Sequence, residues 1–253
     1  MTRPLELSVV CDGLRLCARA IVPPEPRGVV VLLHGIPSTA PPEPGDRGYE
    51  GFAERISAEG WAAVWGDMRA ARGAAGYFSL EGWVRDARAL VDAARTVDGV
   101  AGLPVAIVGS SAGGVVAVEA VRRGAPVDAL VLMGTPAAWL SFASGADDAL
   151  RRITVEAGMP VSPDVLAEPQ PWVGEFEAIT TEAAIAHVRT PVLVLHGTAD
   201  DVVPVGHAER IAARAPHADV RIVEGASHQL RRDERAVALA LEWLARTLPR
   251  ARA

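Results

Sequence analysis

Leu103-Pro104-Val105-Ala106-Ile107-Val108-Gly109-Ser110-Ser111-Ala112-Gly113-Gly114-Val115-Val116-Ala117-Val118 is the stretch on which the reading of this chain turns. An apolar run of strand length meets a small-residue turn, and a helix-like run follows at once. The turn reads G-x-S-x-G around Ser111. A serine hydroxyl is a weak nucleophile until the fold exposes it and sets a base beside it. A sharp strand-to-helix turn supplies the exposure. Ser110 competes for the role, but only Ser111 has glycines two positions away on both sides, which allow a tight turn without Cβ clashes.

Outward from this point the same unit repeats. Leu5 to Val10 and Leu14 to Val22 read as an opening hairpin around Asp12-Gly13. Gly28 to Leu33 is a buried strand ending at His34-Gly35, followed by a Pro- and Gly-rich loop, Ile36 to Gly48, and a helix near Tyr49 to Ala58. Trp61 to Trp65, Ala129 to Met133, Val192 to Leu195 and Val220 to Val223 are further short apolar strands. Helices are expected near Leu80 to Val97, Gly206 to Ala215 and Arg232 to Leu248. Strands alternating with amphipathic helices mean an α/β fold, with a mostly parallel sheet covered on both faces. From Trp139 to about His187 the alternation breaks. That segment holds Pro160, Pro163, Pro169 and Pro171 and no strand-like run. It reads as one or two short helices with loops, a small cap at 139–188 after the sixth strand, overhanging the strand ends where such sheets bind ligands.

Composition narrows the function. A chain of 253 residues, 50% hydrophobic, buries one sizeable core. A net charge of −6 argues against a nucleic-acid partner. The absence of a long apolar run argues against a membrane span, and the N-terminus lacks a signal core, so a cytoplasmic protein is expected. The sequence contains no lysine, which excludes Schiff-base chemistry and a Walker A phosphate loop. The cysteines, Cys11 and Cys17, would face Leu14 and Ser8 across the hairpin. They are therefore expected as half-buried apolar side chains without a disulfide or a metal.

Ser111, Asp200 and His228 each follow a predicted strand and so share one edge of the sheet. An imidazole at His228 would accept the Ser111 proton, and a carboxylate at Asp200 would fix the imidazole tautomer. With His34-Gly35, Gly109 to Gly113, the run His196-Gly197-Thr198-Ala199-Asp200-Asp201-Val202-Val203-Pro204 and Gly225-Ala226-Ser227-His228, the chain resembles the α/β-hydrolase family along nearly its whole length. The resemblance implies an eight-stranded sheet and a serine hydrolase without cofactor or metal. Its spacing to Val203-Pro204 selects Asp200 over Asp201. It also implies an oxyanion hole built from the backbone N–H groups of Ile36 and Ala112. The family often has an aromatic residue or glycine where Ile36 stands, so the Ile36 side chain would narrow the acyl pocket.

A small-molecule carboxylic ester is the expected substrate. A thioesterase or an amidase/peptidase would use the same three residues, while a non-catalytic binding relative would typically have lost one of them. Serine at position 111 excludes the relatives that attack through aspartate. Trp139 and Trp172 either line the acyl pocket or anchor the cap. His34 and His196 are expected to hydrogen-bond the backbone, and the stretch Asp67-Met68-Arg69 with Gly73, Gly76 and Ser79 is expected to be structural.

Overall fold

The structure is a computed structural model that describes residues 3–39, 44–139 and 145–248. Parts of the Pro-rich loop and of the 139–188 segment therefore lie outside the described residues. Strands β1 (Leu5–Cys11) and β2 (Leu14–Ile21) form the expected hairpin. Asp12 and Gly13 both take positive φ, 50° and 76°, the backbone of a two-residue turn whose twist matches the strands. Its register sets Cys11 opposite Leu14 and Ser8 opposite Cys17. Both thiols are free, but they are not alike: Cys11 is buried and Cys17 exposed. Strand alternation explains the correction: Cys11 shares the buried face with Val9 and Leu16, whereas Cys17, opposite Ser8, shares the exposed face with Arg15 and Arg19.

The remaining strands are β3 (Val29–Leu33), β4 (Ala62–Asp67), β5 (Val105–Ser110), β6 (Ala129–Met133), β7 (Val192–Gly197) and β8 (Asp219–Val223). They join one eight-stranded sheet in the order β1-β2-β4-β3-β5-β6-β7-β8. The β1–β2 and β2–β4 pairs are antiparallel, and every later pair is parallel. All five residues of β3 are buried, as a central parallel strand requires. Val29, Val31 and Leu33 join one core with helices α2 (Leu80–Ala94) and α3 (Ala112–Arg122). Val30 and Leu32 join a second core on the other face, with α1 (Gly48–Ala58) and, closing the chain, α9 (Glu234–Thr247).

Between β6 and β7 the structure is more helical than expected: α4 (Ala146–Arg151) running into a π-helical turn at Arg152–Glu156, then α5 (Pro163–Ala167), α6 (Gln170–Ala178) and α7 (Thr181–Ile185). Pro163, Pro169 and Pro171 stand at helix starts rather than breaking helices. Pro163 opens α5 behind the capping hydroxyl of Ser162, and Pro171 stands in the first turn of α6. Buried side chains of this segment, among them Ile153, Met159, Trp172 and Phe176, belong to the α2–α3 core. Helix α8 (Gly206–Arg214) then separates β7 from β8.

The Asp67-Met68-Arg69 stretch is fastened inside. Arg69 donates from Nε and Nη2 to the fully buried Asp86 of α2, at 3.0 and 2.7 Å, and from Nη2 to Asp12 at 2.9 Å. The Arg69 backbone N–H also donates to Asp86, at 2.8 Å. One guanidinium thus ties the hairpin turn, the end of β4 and α2 together, and burial beside Asp86 pushes the Cys11 thiol up to about 11. Asp86→Ala should cost about 3–5 kcal/mol in urea unfolding, because it strands a buried cation rather than merely losing a contact.

Candidate active site

Ser111 sits between β5 and α3 with φ 53° and ψ −124°. A non-glycine residue held there is strained by roughly 1–3 kcal/mol, and the surroundings must enforce it. Three contacts do so. The Ser111 N–H donates to the Met133 carbonyl of β6 at 2.9 Å. A Cβ on Gly113 would lie 2.3 Å from the Leu33 carbonyl oxygen, so only glycine lets α3 start this close to β3. A Cβ on Gly35 would lie 2.9 Å from the Ser111 Cβ, which places the chain after β3 directly against the serine. Ile36 follows at once, and Ala112 is the first residue of α3, whose opening N–H groups have no partner within the helix.

Asp200 follows β7, and His228 lies in the loop after β8. The structure brings them together, with His228 Nδ1 2.8 Å from Asp200 Oδ2. The other carboxylate oxygen accepts the N–H groups of Val202 and Val203 at 3.0 and 2.8 Å. Burial opposes the Asp200 charge. The hydrogen bonds from His196 and His228 and from the Val203 N–H outweigh it, and the carboxyl stays far below the usual range. An anionic Asp200 is acceptor-only, so Nδ1 of His228 carries the proton and Nε2 keeps its lone pair. No hydrogen bond joins Ser111 to His228 among the described residues, as is common in ligand-free sites that tighten only around substrate.

One residue in this cluster escaped sequence reading, and a second does more than was expected of it. Gly134, directly after β6, has φ 56°, and a Cβ there would lie 3.2 Å from both Asp200 Oδ2 and His228 Nδ1. It is the spacer between the Ser111 side of the site and the Asp200–His228 pair. Its signal in the sequence was faint: a glycine ending a buried strand. His196 does donate to a backbone carbonyl, that of Val203 at 2.7 Å, but the same Nε2 also stands 3.4 Å from Asp200 Oδ2. The bond to the backbone was expected; the proximity to Asp200 was not.

His34 binds the backbone at both nitrogens. Nε2 accepts from the Met68 N–H at 3.0 Å, so Nδ1 carries the proton and donates to the Gly35 carbonyl at 2.8 Å. Burial pushes this imidazole down to about 4. The folded ring stays neutral at pH values where an unfolded histidine takes up a proton, so stability falls as pH drops from about 6.5 to 4. The expected loss over that window is on the order of 3 kcal/mol, and urea midpoints at several pH values would show it. In His34→Gln this part of the slope should flatten.

A family profile described as "Alpha/beta hydrolase family" matches residues 30–242. This chain belongs to the α/β-hydrolase family. Solved structures agree on the fold. Est1E from Butyrivibrio proteoclasticus is 19% identical with a TM-score of 0.67, over 96% of this chain and 98% of that one. A monoacylglycerol lipase from Paleococcus ferrophilus is 20% identical with a TM-score of 0.68, over 92% and 99%. A Pyrococcus furiosus esterase is 17% identical with a TM-score of 0.66, over 98% and 91%. No curated protein matches the sequence.

In this α/β-hydrolase the two tryptophans part company. Trp172 of α6 is buried, donates from Nε1 to the Phe78 carbonyl at 3.2 Å and packs edge-on against Phe176. Trp139 is half-buried, donates to the Ile179 carbonyl at 2.8 Å and also meets Phe176 edge-on. Phe78 in turn stacks on Trp83, and Trp83 on His34. An aromatic column thus runs from His34, at the end of β3, into the 139–188 segment. Among the described residues no helix is long and apolar enough to cross a membrane, and no cluster of metal-ligating side chains occurs.

Proposed function

We propose that this α/β-hydrolase is a serine esterase that cleaves carboxylic esters of small molecules through an acyl-enzyme on Ser111. The observation that carries the reading is the Asp200–His228 pair, held 2.8 Å apart across Gly134 from a serine in a strained elbow. In the first half-reaction His228 Nε2 takes the Ser111 proton while Oγ attacks the ester carbonyl. The tetrahedral oxyanion accepts the N–H groups of Ile36 and Ala112; loss of one such donor typically costs 10²- to 10³-fold in rate. His228 then returns the proton to the departing alcohol, and water repeats the sequence on the acyl-enzyme. Asp200 holds the ring tautomer and stabilises the imidazolium.

The esterase and lipase among the similar structures support ester substrates over thioesters and amides, which the same three residues could also serve. Residues 139–188 act in this reading as a cap over the strand ends. Half-buried Ile36 and Trp139 border the acyl group, while buried Trp172 fastens the cap to the core. Incubation with a fluorophosphonate should add one covalent adduct, mapping to Ser111 by mass spectrometry. Short p-nitrophenyl esters should be turned over faster than matched thioesters or aminoacyl anilides. A protein that binds such esters without forming the adduct would be a non-catalytic relative instead.

A further inference from the structure

The base loop and the loop on the oxyanion side are fastened to each other by side chains other than the reacting ones. Arg231, three residues after His228, grips Asp46 with a two-pronged bond, Nη1 to Oδ1 at 2.7 Å and Nη2 to Oδ2 at 2.6 Å. Such forked pairs fix direction as well as distance. Asp46 Oδ1 also accepts the Gly48 N–H at 2.8 Å, which pins the carboxylate to the first residue of α1. Arg231 sits in the turn Leu230–Arg232, and the N–H of Leu230 donates to the His228 carbonyl at 2.9 Å. The Arg231 carbonyl accepts from Arg55 of α1. Its guanidinium lies over the Tyr49 ring, 5.5 Å from the centroid, and that ring meets His34 edge-on at 6.2 Å. The contacts therefore run without a gap from Gly35, beside Ser111, through His34, Tyr49 and Arg231 to His228.

We propose that Asp46 and Arg231 are positioning residues that set the His228 loop at its working distance from Ser111 and the oxyanion loop. The proposal rests on His228 being the base for Ser111. The pair is mostly shielded from solvent, and the Arg231 hydrogen bond holds the Asp46 carboxyl down at about 2, so the grip persists across the whole working pH range. Losing it removes no reacting group but frees the base loop, and His228 with it, to drift. A drift of about 1 Å can cost around 100-fold in rate.

The test measures ester hydrolysis per titrated active site in Asp46→Asn, Arg231→Gln, Arg231→Lys and the double variant Asp46→Asn/Arg231→Gln. The single variants Asp46→Asn and Arg231→Gln should each lose about 10- to 100-fold in kcat with KM within about twofold of the parent. Fluorophosphonate labelling of Ser111 should slow by the same factor, and the double variant should be no slower than the worse single one. Arg231→Lys keeps the charge and the stem, so it folds, yet without the fork it should recover only part of the rate. Unchanged kcat in the folded single variants overturns the proposal, as do multiplying losses in the double variant. Wild-type protein that forms no Ser111 adduct overturns the esterase reading itself and this role with it; normal labelling with unaffected variants removes the clamp alone.

Discussion

Ser111→Ala should abolish ester hydrolysis, lowering kcat by about 10⁴- to 10⁶-fold while leaving the protein folded. The size follows from what the hydroxyl does. Without it there is no acyl-enzyme, and His228, Asp200 and the two N–H donors can only assist direct attack by water. That residual assistance explains why the floor lies above the uncatalysed rate. The fold should survive because Oγ carries no structural hydrogen bond, whereas the backbone N–H that anchors the elbow to Met133 is untouched. Ser111→Gly sharpens the test. It removes the same nucleophile and also relieves a φ of 53°, so an inactive protein more stable by about 1 kcal/mol is expected. Chemical denaturation of both variants measures the stability, and ester turnover measures the activity. Full activity in either variant would overturn the acyl-enzyme.

Asp200→Asn should be the next most damaging change, at about 10⁴-fold in kcat with little change in binding. The reason lies in the donors that surround the carboxylate. Val202 and Val203 aim their N–H groups at Oδ1, so the amide oxygen of asparagine has to occupy that position. The amide NH₂ is then turned toward His228 Nδ1, which must give up its proton to accept it. The proton moves to Nε2, where the ring cannot take one from serine. In the opposite orientation the amide NH₂ would face the N–H groups of Val202 and Val203, donor against donor, so that orientation is excluded. Asp200→Ala, which imposes no tautomer, should therefore be less inactive than Asp200→Asn. The reverse order would show that the carboxylate acts by charge alone.

Much of the fold was legible because each central strand is a short, wholly apolar run closed by a glycine, histidine or aspartate. The glycines around Ser111 were legible too, and Gly113 shows why: a side chain there would strike the Leu33 carbonyl. The helical content of residues 146–185 was not, since prolines mark loops and helix starts alike, and only the capping geometry at Ser162 and Thr180 separates the two. Nothing local in the sequence marks Asp86, one charge on an amphipathic helix, as the buried partner of Arg69. Pairings across long sequence distances leave no local trace. Asp46 with Arg231, and Glu175 of α6 accepting the Glu81 N–H at the start of α2, are of that kind.

The order of the strands also governs when this protein can first work during folding. The β1–β2 hairpin closes through two residues, so it forms early and locally. The Ser111 turn, by contrast, is held by β6, and the Asp200–His228 pair hangs from β7 and β8, which join β6 only across the whole 139–188 segment. Parallel pairing over such a span is slow, because a long loop must close before any contact rewards it. Recovery of activity on refolding therefore reports the docking of β7 onto β6, and collapse of the N-terminal half leaves the chain compact but chemically silent.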